Sequence, residues 1–119
     1  RGVDVSVYGI ENSKEEIRGC LSLGNANKLS FADNSFDFVC TITTLHNLYN
    51  YDLKLAIEEI QRVSRKHSYI AVESYRNERE KANLLYWQLT CQSFFSVEEW
   101  VWLFKEYGYA GDYEFIFFE

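Results

Sequence analysis

From Phe36 to Val72 the chain reads FDFVCTITTLHNLYNYDLKLAIEEIQRVSRKHSYIAV, and this stretch decides the fold class. Phe36 to Ile42 is a nearly continuous run of aromatic and β-branched residues, the pattern of a strand buried on both faces of a parallel sheet. Leu53, Ala56, Ile57, Ile60 and Val63 then recur at helical spacing, with Lys54, Glu58, Glu59 and Arg62 on the wet side. Tyr69 to Val72 is the next strand pattern. Strand, amphipathic helix and strand in succession imply a parallel crossover.

The alternation continues on both sides. Val3, Val5 and Val7 alternate with polar residues and predict a strand from Val3 to Ile10. Ser13 and Glu16 have the spacing of a capping box, opening a short helix that Gly19 ends. Leu21 to Leu23 is a short strand, and residues 24–35, rich in Asn, Asp and Ser, form a loop. Asn77 to Lys81 is a solvated loop or helix start, followed by a helix through Leu84, Leu85 and Leu89. A second capping box, Ser96 with Glu99, opens a helix whose apolar face is Val97, Trp100, Leu103, Phe104 and Tyr107. Trp100 and Trp102 cannot share a helical face, so one of them is expected to point away from the core. Gly108 stops the helix, and Tyr113 to Phe118 is a final strand. The expectation is one α/β domain over residues 1–119, with a mostly parallel sheet.

Composition narrows the function. The chain has 119 residues, with 18 acidic against 12 basic side chains and a net charge of −6. That balance argues against a broad phosphate-binding face, so nucleic acid is not an expected partner. The uncharged stretch Leu84 to Val97 is too short to span a bilayer, so no membrane association is expected. Cys20, Cys40 and Cys91 are odd in number and widely spaced, which predicts buried thiols in a reducing compartment, the cytoplasm. His46 and His67 lie far apart with no Cys-x-x-Cys, so no metal site is expected. The chain begins with Arg1 and contains no methionine, so an N-terminally truncated domain is expected.

In an open parallel sheet, ligands bind beyond the carboxyl ends of the strands. Glu11-Asn12-Ser13, Gly24 to Asn27 and Thr41 to Leu48 leave such ends. An acid just past a strand, here Glu11, either offers two acceptor oxygens to a ribose or caps a helix.

Taken together, these segments resemble class I S-adenosylmethionine-dependent methyltransferases. Val7-Tyr8-Gly9-Ile10-Glu11-Asn12-Ser13 looks like the family's second strand with its terminal acid, and Gly24 to Val39 resembles its "GDA..LPF.D.SFD.V" loop and fourth strand. Leu45-His46-Asn47-Leu48 looks like the "LHHL" element, and Ala56 to Val63 like the "..EI.RVL" helix. The resemblance implies a three-layer Rossmann-like fold with S-adenosylmethionine as cofactor. Glu11 would hold the ribose hydroxyls and Asn12 would lie near the adenine. Asn25 would stand where an Asp usually meets the adenine amino group, and Ala26 would offer its backbone N–H to the ring. Cys40 and Thr41 would line the methionine end. His46, Glu73 and Tyr75 would stand on the substrate side, facing a small-molecule acceptor.

The family's first strand, glycine-rich loop and first helix have no counterpart upstream of Val3, and Ser64 to Ser68 replaces its usual "L-K-P-G-G" turn. The alternative is therefore a non-catalytic remnant that serves as an assembly module. The strand edges left open predict a homo-oligomer.

Overall fold

The computed structural model describes residues 1–119 as a Rossmann-like α/β arrangement of parallel strands and helices. Strands β1 (Gly2–Asp4) and β2 (Leu21–Leu23) pair in parallel, flanking the short helices α1 (Val7–Glu11) and α2 (Glu15–Arg18). Strands β3 (Phe36–Ile42), β4 (Ser64–Glu73) and β5 (Asp112–Ile116) form a second sheet in that order, also all parallel. Helix α3 (Asn50–Val63) makes the crossover from β3 to β4; α4 (Glu78–Trp87) and α5 (Val97–Glu106) lead from β4 to β5.

The core lies where α3 and α5 meet β4. Leu53, Ala56, Ile57 and Ile60 of α3 close on Ile70 and Val72 of β4 and on Trp100, Leu103 and Phe104 of α5. This is the apolar stripe read from spacing, and it is fully covered. Ser96 accepts from the Glu99 N–H while Glu99 returns a bond to the Ser96 N–H, so the expected capping box forms. Gly108 sits at φ +66°, where a side chain would be strained, and this ends the helix. Trp102 is exposed, as its position on the helix requires.

Several expectations need correction. The predicted strand from Val3 to Ile10 stops at Asp4, and Val7–Glu11 is a helix. The cause is local: Asp4 Oδ1 accepts from the Ser6 N–H at 2.8 Å, and Ser6 Oγ accepts from the Gly9 N–H at 3.0 Å. These side-chain caps outweigh the β preference of the valines. Ser13 donates its hydroxyl back to Ile10 O instead of capping α2, so the box with Glu16 does not form. The strand expected from Tyr69 starts five residues earlier, at Ser64, since β4 begins directly at the end of α3. Helix α4 stops at Trp87, leaving Leu89 outside it.

Strand β3 has the expected bounds but not the expected burial: Phe38 and Ile42 are exposed, and so are Cys40 and, before β2, Cys20, so these two thiols expected to be buried are not. It pairs only with β4, and β1 pairs only with β2, so the facing edges of β1 and β3 are joined to no strand.

Candidate functional site

A cavity of about 470 Å³ lies between β1 and β3. Its walls include Val3 from β1, Ala26 from the loop after β2, and Val39, Cys40 and Thr41 from β3, with Leu45 and Ile60 of the core behind them. Pockets that take small molecules span about 300–1,000 Å³ and are mostly apolar, so its size and lining suit an organic ligand.

Asp4 directly follows the lining residue Val3 and puts a carboxylate at the carboxyl end of β1. Asp4 is exposed, and its Oδ1 is engaged by the Ser6 N–H. Gly24 donates its N–H to Asp4 O at 2.9 Å, which brings the loop from Gly24 to Asn27 beside it. Gly24 also passes close to Val3: a Cβ there would meet Val3 Cγ1 at 3.0 Å. The alternation of Val3, Val5 and Val7 hides Asp4 inside an apparent single strand. The signal was the Asp4-x-Ser6 spacing, which makes a turn and a cap.

Glu11 and Asn12 stand elsewhere. Both are exposed at the carboxyl end of α1, and Asn12 donates its amide to Tyr8 O. The strand end that made Glu11 a ribose-binding candidate belongs to Asp4. Asn25 turns its Oδ1 onto the Asn27 N–H at 3.1 Å, a local turn that engages the oxygen expected to face adenine. Ala26 is half-buried against the core and lines the cavity together with Cys40 and Thr41.

Helix α3 anchors this loop. Arg62 donates to Leu29 O at 3.0 Å, to Phe31 O at 2.7 Å and to Asp33 Oδ1 at 2.8 Å, while its other contacts go to the Glu59 carboxylate. Glu59 in turn accepts from the Leu29 N–H at 2.7 Å, and Asp52 accepts from the Asn27 amide at 2.8 Å. The Arg62 guanidinium holds the Glu59 carboxyl below its usual range. Charge-assisted bonds from one helix thus set the path of the segment carrying Asn25 and Ala26.

At the exit of β3, Thr43 has φ 55°. A β-branched residue in this region is strained by about 1–3 kcal/mol. Thr43 is held there by donating its N–H to Ala71 O at 2.9 Å. Thr43→Gly is expected to raise stability by about 1 kcal/mol in urea unfolding. A lower midpoint would show that the backbone is not under strain at this position.

Beyond Thr43, a 3₁₀ turn (Leu45–Asn47) carries His46 into the interior, where it is 1% exposed. His46 Nδ1 accepts from the Glu73 N–H at 3.3 Å, so the ring proton is on Nε2, 3.3 Å from Glu73 Oε2. That oxygen has no hydrogen bond of good geometry. Burial pushes the His46 pKa down to about 4 and the Glu73 carboxyl upward. The backbone N–H groups of Gln92 and Ser93 both donate to His46 O at 2.9 Å, so His46 ties the end of β4 to the segment before α5. The structure therefore joins His46 to Glu73. Tyr75 stands apart, half-buried with its ring 5.2 Å from Phe94.

Comparison with known proteins agrees with this geometry. A search of curated proteins finds no match. Among solved structures, the YcgJ protein of Bacillus subtilis is similar with a TM-score of 0.68 and 21% identity, covering 89% of this chain and 50% of its own. An S-adenosylmethionine-dependent methyltransferase of Thermotoga maritima, described as a possible histamine N-methyltransferase, aligns with a TM-score of 0.57 and 22% identity, covering 90% of this chain and 61% of its own. The PH0226 protein of Pyrococcus horikoshii is 28% identical over 56% of this chain and 35% of its own, with a TM-score of 0.50. The chain thus spans between about a third and three-fifths of these structures. No helix is long and apolar enough to cross a membrane. The family model described as "Methyltransferase domain" matches residues 1–72, which hold β1 through the body of β4 and every residue lining the cavity. The chain belongs to the methyltransferase-domain family.

Proposed function

We propose that the protein takes part in methyl transfer from S-adenosylmethionine to a small-molecule acceptor with an oxygen or nitrogen nucleophile. The observation that carries this reading is the apolar cavity lined by Ala26, Cys40 and Thr41, with the Asp4 carboxylate at the end of its β1 wall. These residues fit the group: an apolar slot suits a purine, and a carboxylate suits a ribose diol. When bound, S-adenosylmethionine supplies an already activated methyl group, so the protein's work is alignment.

Each residue then has a task. Asp4 accepts the ribose hydroxyls, the Ala26 N–H faces the adenine, and Cys40 and Thr41 border the methionine end. Asn25, Glu59 and Arg62 keep the loop in place. His46 and Glu73, being buried, position the loops after β3 and β4 rather than touch the acceptor. Burial, with Glu99 and other acids nearby, raises the Tyr75 phenol, so it stays a hydrogen-bond donor near neutral pH. Isothermal titration with S-adenosylmethionine and with S-adenosylhomocysteine tests the reading. Micromolar binding supports it, and no heat at millimolar ligand overturns it.

A second reading, an assembly module, is favoured by one observation: the unpaired edges of β1 and β3 on either side of the cavity. Open edges recruit further strands, and a homo-oligomer is the simplest outcome. A 14.1 kDa species alone in light scattering at micromolar concentration would overturn it.

A further inference from the structure

Resting on the methyl-transfer reading, we propose that the acceptor is an uncharged molecule with a flat aromatic face, held by a rim of Tyr49, Tyr51, Tyr86, Trp87 and Leu89. The first support is the distribution of charge. A quarter of all residues are charged, yet 38–51 and 82–97 contain no Asp, Glu, Lys or Arg. The first segment runs from within β3 past its carboxyl end to the start of α3, and the second from the middle of α4, which follows β4, to the start of α5.

The two segments are also fastened together. Besides the bonds from Gln92 and Ser93 to His46 O, Ser93 Oγ donates to Leu48 O at 2.5 Å and Thr90 Oγ1 to Asn47 Oδ1 at 3.0 Å. The bonded residues are chain neighbours of the rim: Leu48 precedes Tyr49, and Thr90 follows Leu89.

The side chains are not spent on the core. Trp87 is 67% exposed and Leu89 92% exposed, although burying either would be favourable. Tyr49 and Tyr51 stack with ring centres 5.6 Å apart, and Tyr86 and Trp87 meet edge to face at 5.9 Å. Exposed apolar groups gathered at one end of a sheet mark a binding surface, and such rings offer their faces to another π-system.

The electrostatics point the same way. His46 beneath the rim is neutral near pH 7. Of the charges between β4 and the rim, Arg76 is consumed by Glu80 and Glu119, and Lys81 lies 5.5 Å from the Tyr75 ring centre; Glu78 and Arg79 are exposed to water. The rim side chains themselves offer a charged acceptor no counter-charge, whereas they offer an aromatic one their ring faces. For a phenolic acceptor, transfer forms the oxygen–methyl bond and breaks the sulfonium–methyl bond. The sulfonium becomes a thioether, and the phenolic proton passes to water.

Calorimetry on the protein saturated with S-adenosylhomocysteine, titrated with naphthol and with its carboxylated analogue, tests the proposal. Naphthol is expected to bind about tenfold more tightly or better. The double variant Tyr51→Ala/Trp87→Ala should lose about tenfold for naphthol, with unchanged affinity for S-adenosylhomocysteine and an unchanged melting temperature. Leu89→Lys should shift the preference toward the carboxylate. Equal binding of the two probes, or preference for the carboxylate in the unaltered protein, overturns the proposal alone. Failure to bind S-adenosylhomocysteine overturns the methyl-transfer reading beneath it. A dimer that the double variant dissolves would make the rim a protein interface, and the proposal would fall.

Discussion

Asp4→Ala is expected to weaken S-adenosylmethionine binding about ten- to a hundredfold, because a charged hydrogen-bonding group contributes about 1.5–3 kcal/mol. Glu11→Ala should leave the affinity unchanged, since Glu11 lies on the exposed end of α1 away from the cavity. The pair separates a ligand role from a local structural one. Asp4 also accepts from the Ser6 N–H at the turn into α1. Asp4→Asn retains that acceptor but loses the charge, so it should preserve the melting temperature and still bind poorly. If Asp4→Asn binds normally while Asp4→Ala melts early, Asp4 is only a turn residue. If Glu11→Ala is the variant that loses binding, the ribose carboxylate belongs where the sequence pattern first placed it.

How much of this was legible follows from the range of the forces involved. The α3 stripe, the capping box of α5 and the stop at Gly108 depend on residues within two turns of each other, and all three appear as read. The end of β1 also depends on neighbours, but on polar side chains competing with valines. Hydropathy alternation counts only the valines. The exposure of Phe38 and Ile42 was out of reach, because burial of a strand is set by what pairs with its far edge. Ala26, Cys40 and Thr41 fall around one cavity because they lie in the loop after β2 and among the last residues of β3 before its carboxyl end, where a topological rule places ligands. His46 had no such rule to place it. A loop histidine reads as solvent-facing, and only the register of β4 against β3 puts the Glu73 N–H beneath its ring.

That burial makes stability depend on pH in a defined direction. His46 titrates at about 4 in the folded protein against an ordinary 6.5, so the unfolded chain takes up a proton that the native state refuses. Stability is therefore full above the unfolded value and declines as pH falls from 6.5 toward 4, by up to about 3 kcal/mol. Glu73 opposes this, since its raised carboxyl gains a proton in the native state before it does so in the unfolded one. Glu59 and Glu80 are held low by Arg62 and Arg76, and their contribution is lost only below the ordinary glutamate value of 4.5. The interval between 6.5 and about 5 thus isolates the buried pair. Urea midpoints measured across it should fall steadily for the unaltered protein, more steeply for Glu73→Gln, and much less for His46→Gln. A profile that His46→Gln leaves unchanged would mean that His46 is protonated in place, with Glu73 charged beside it as an ion pair.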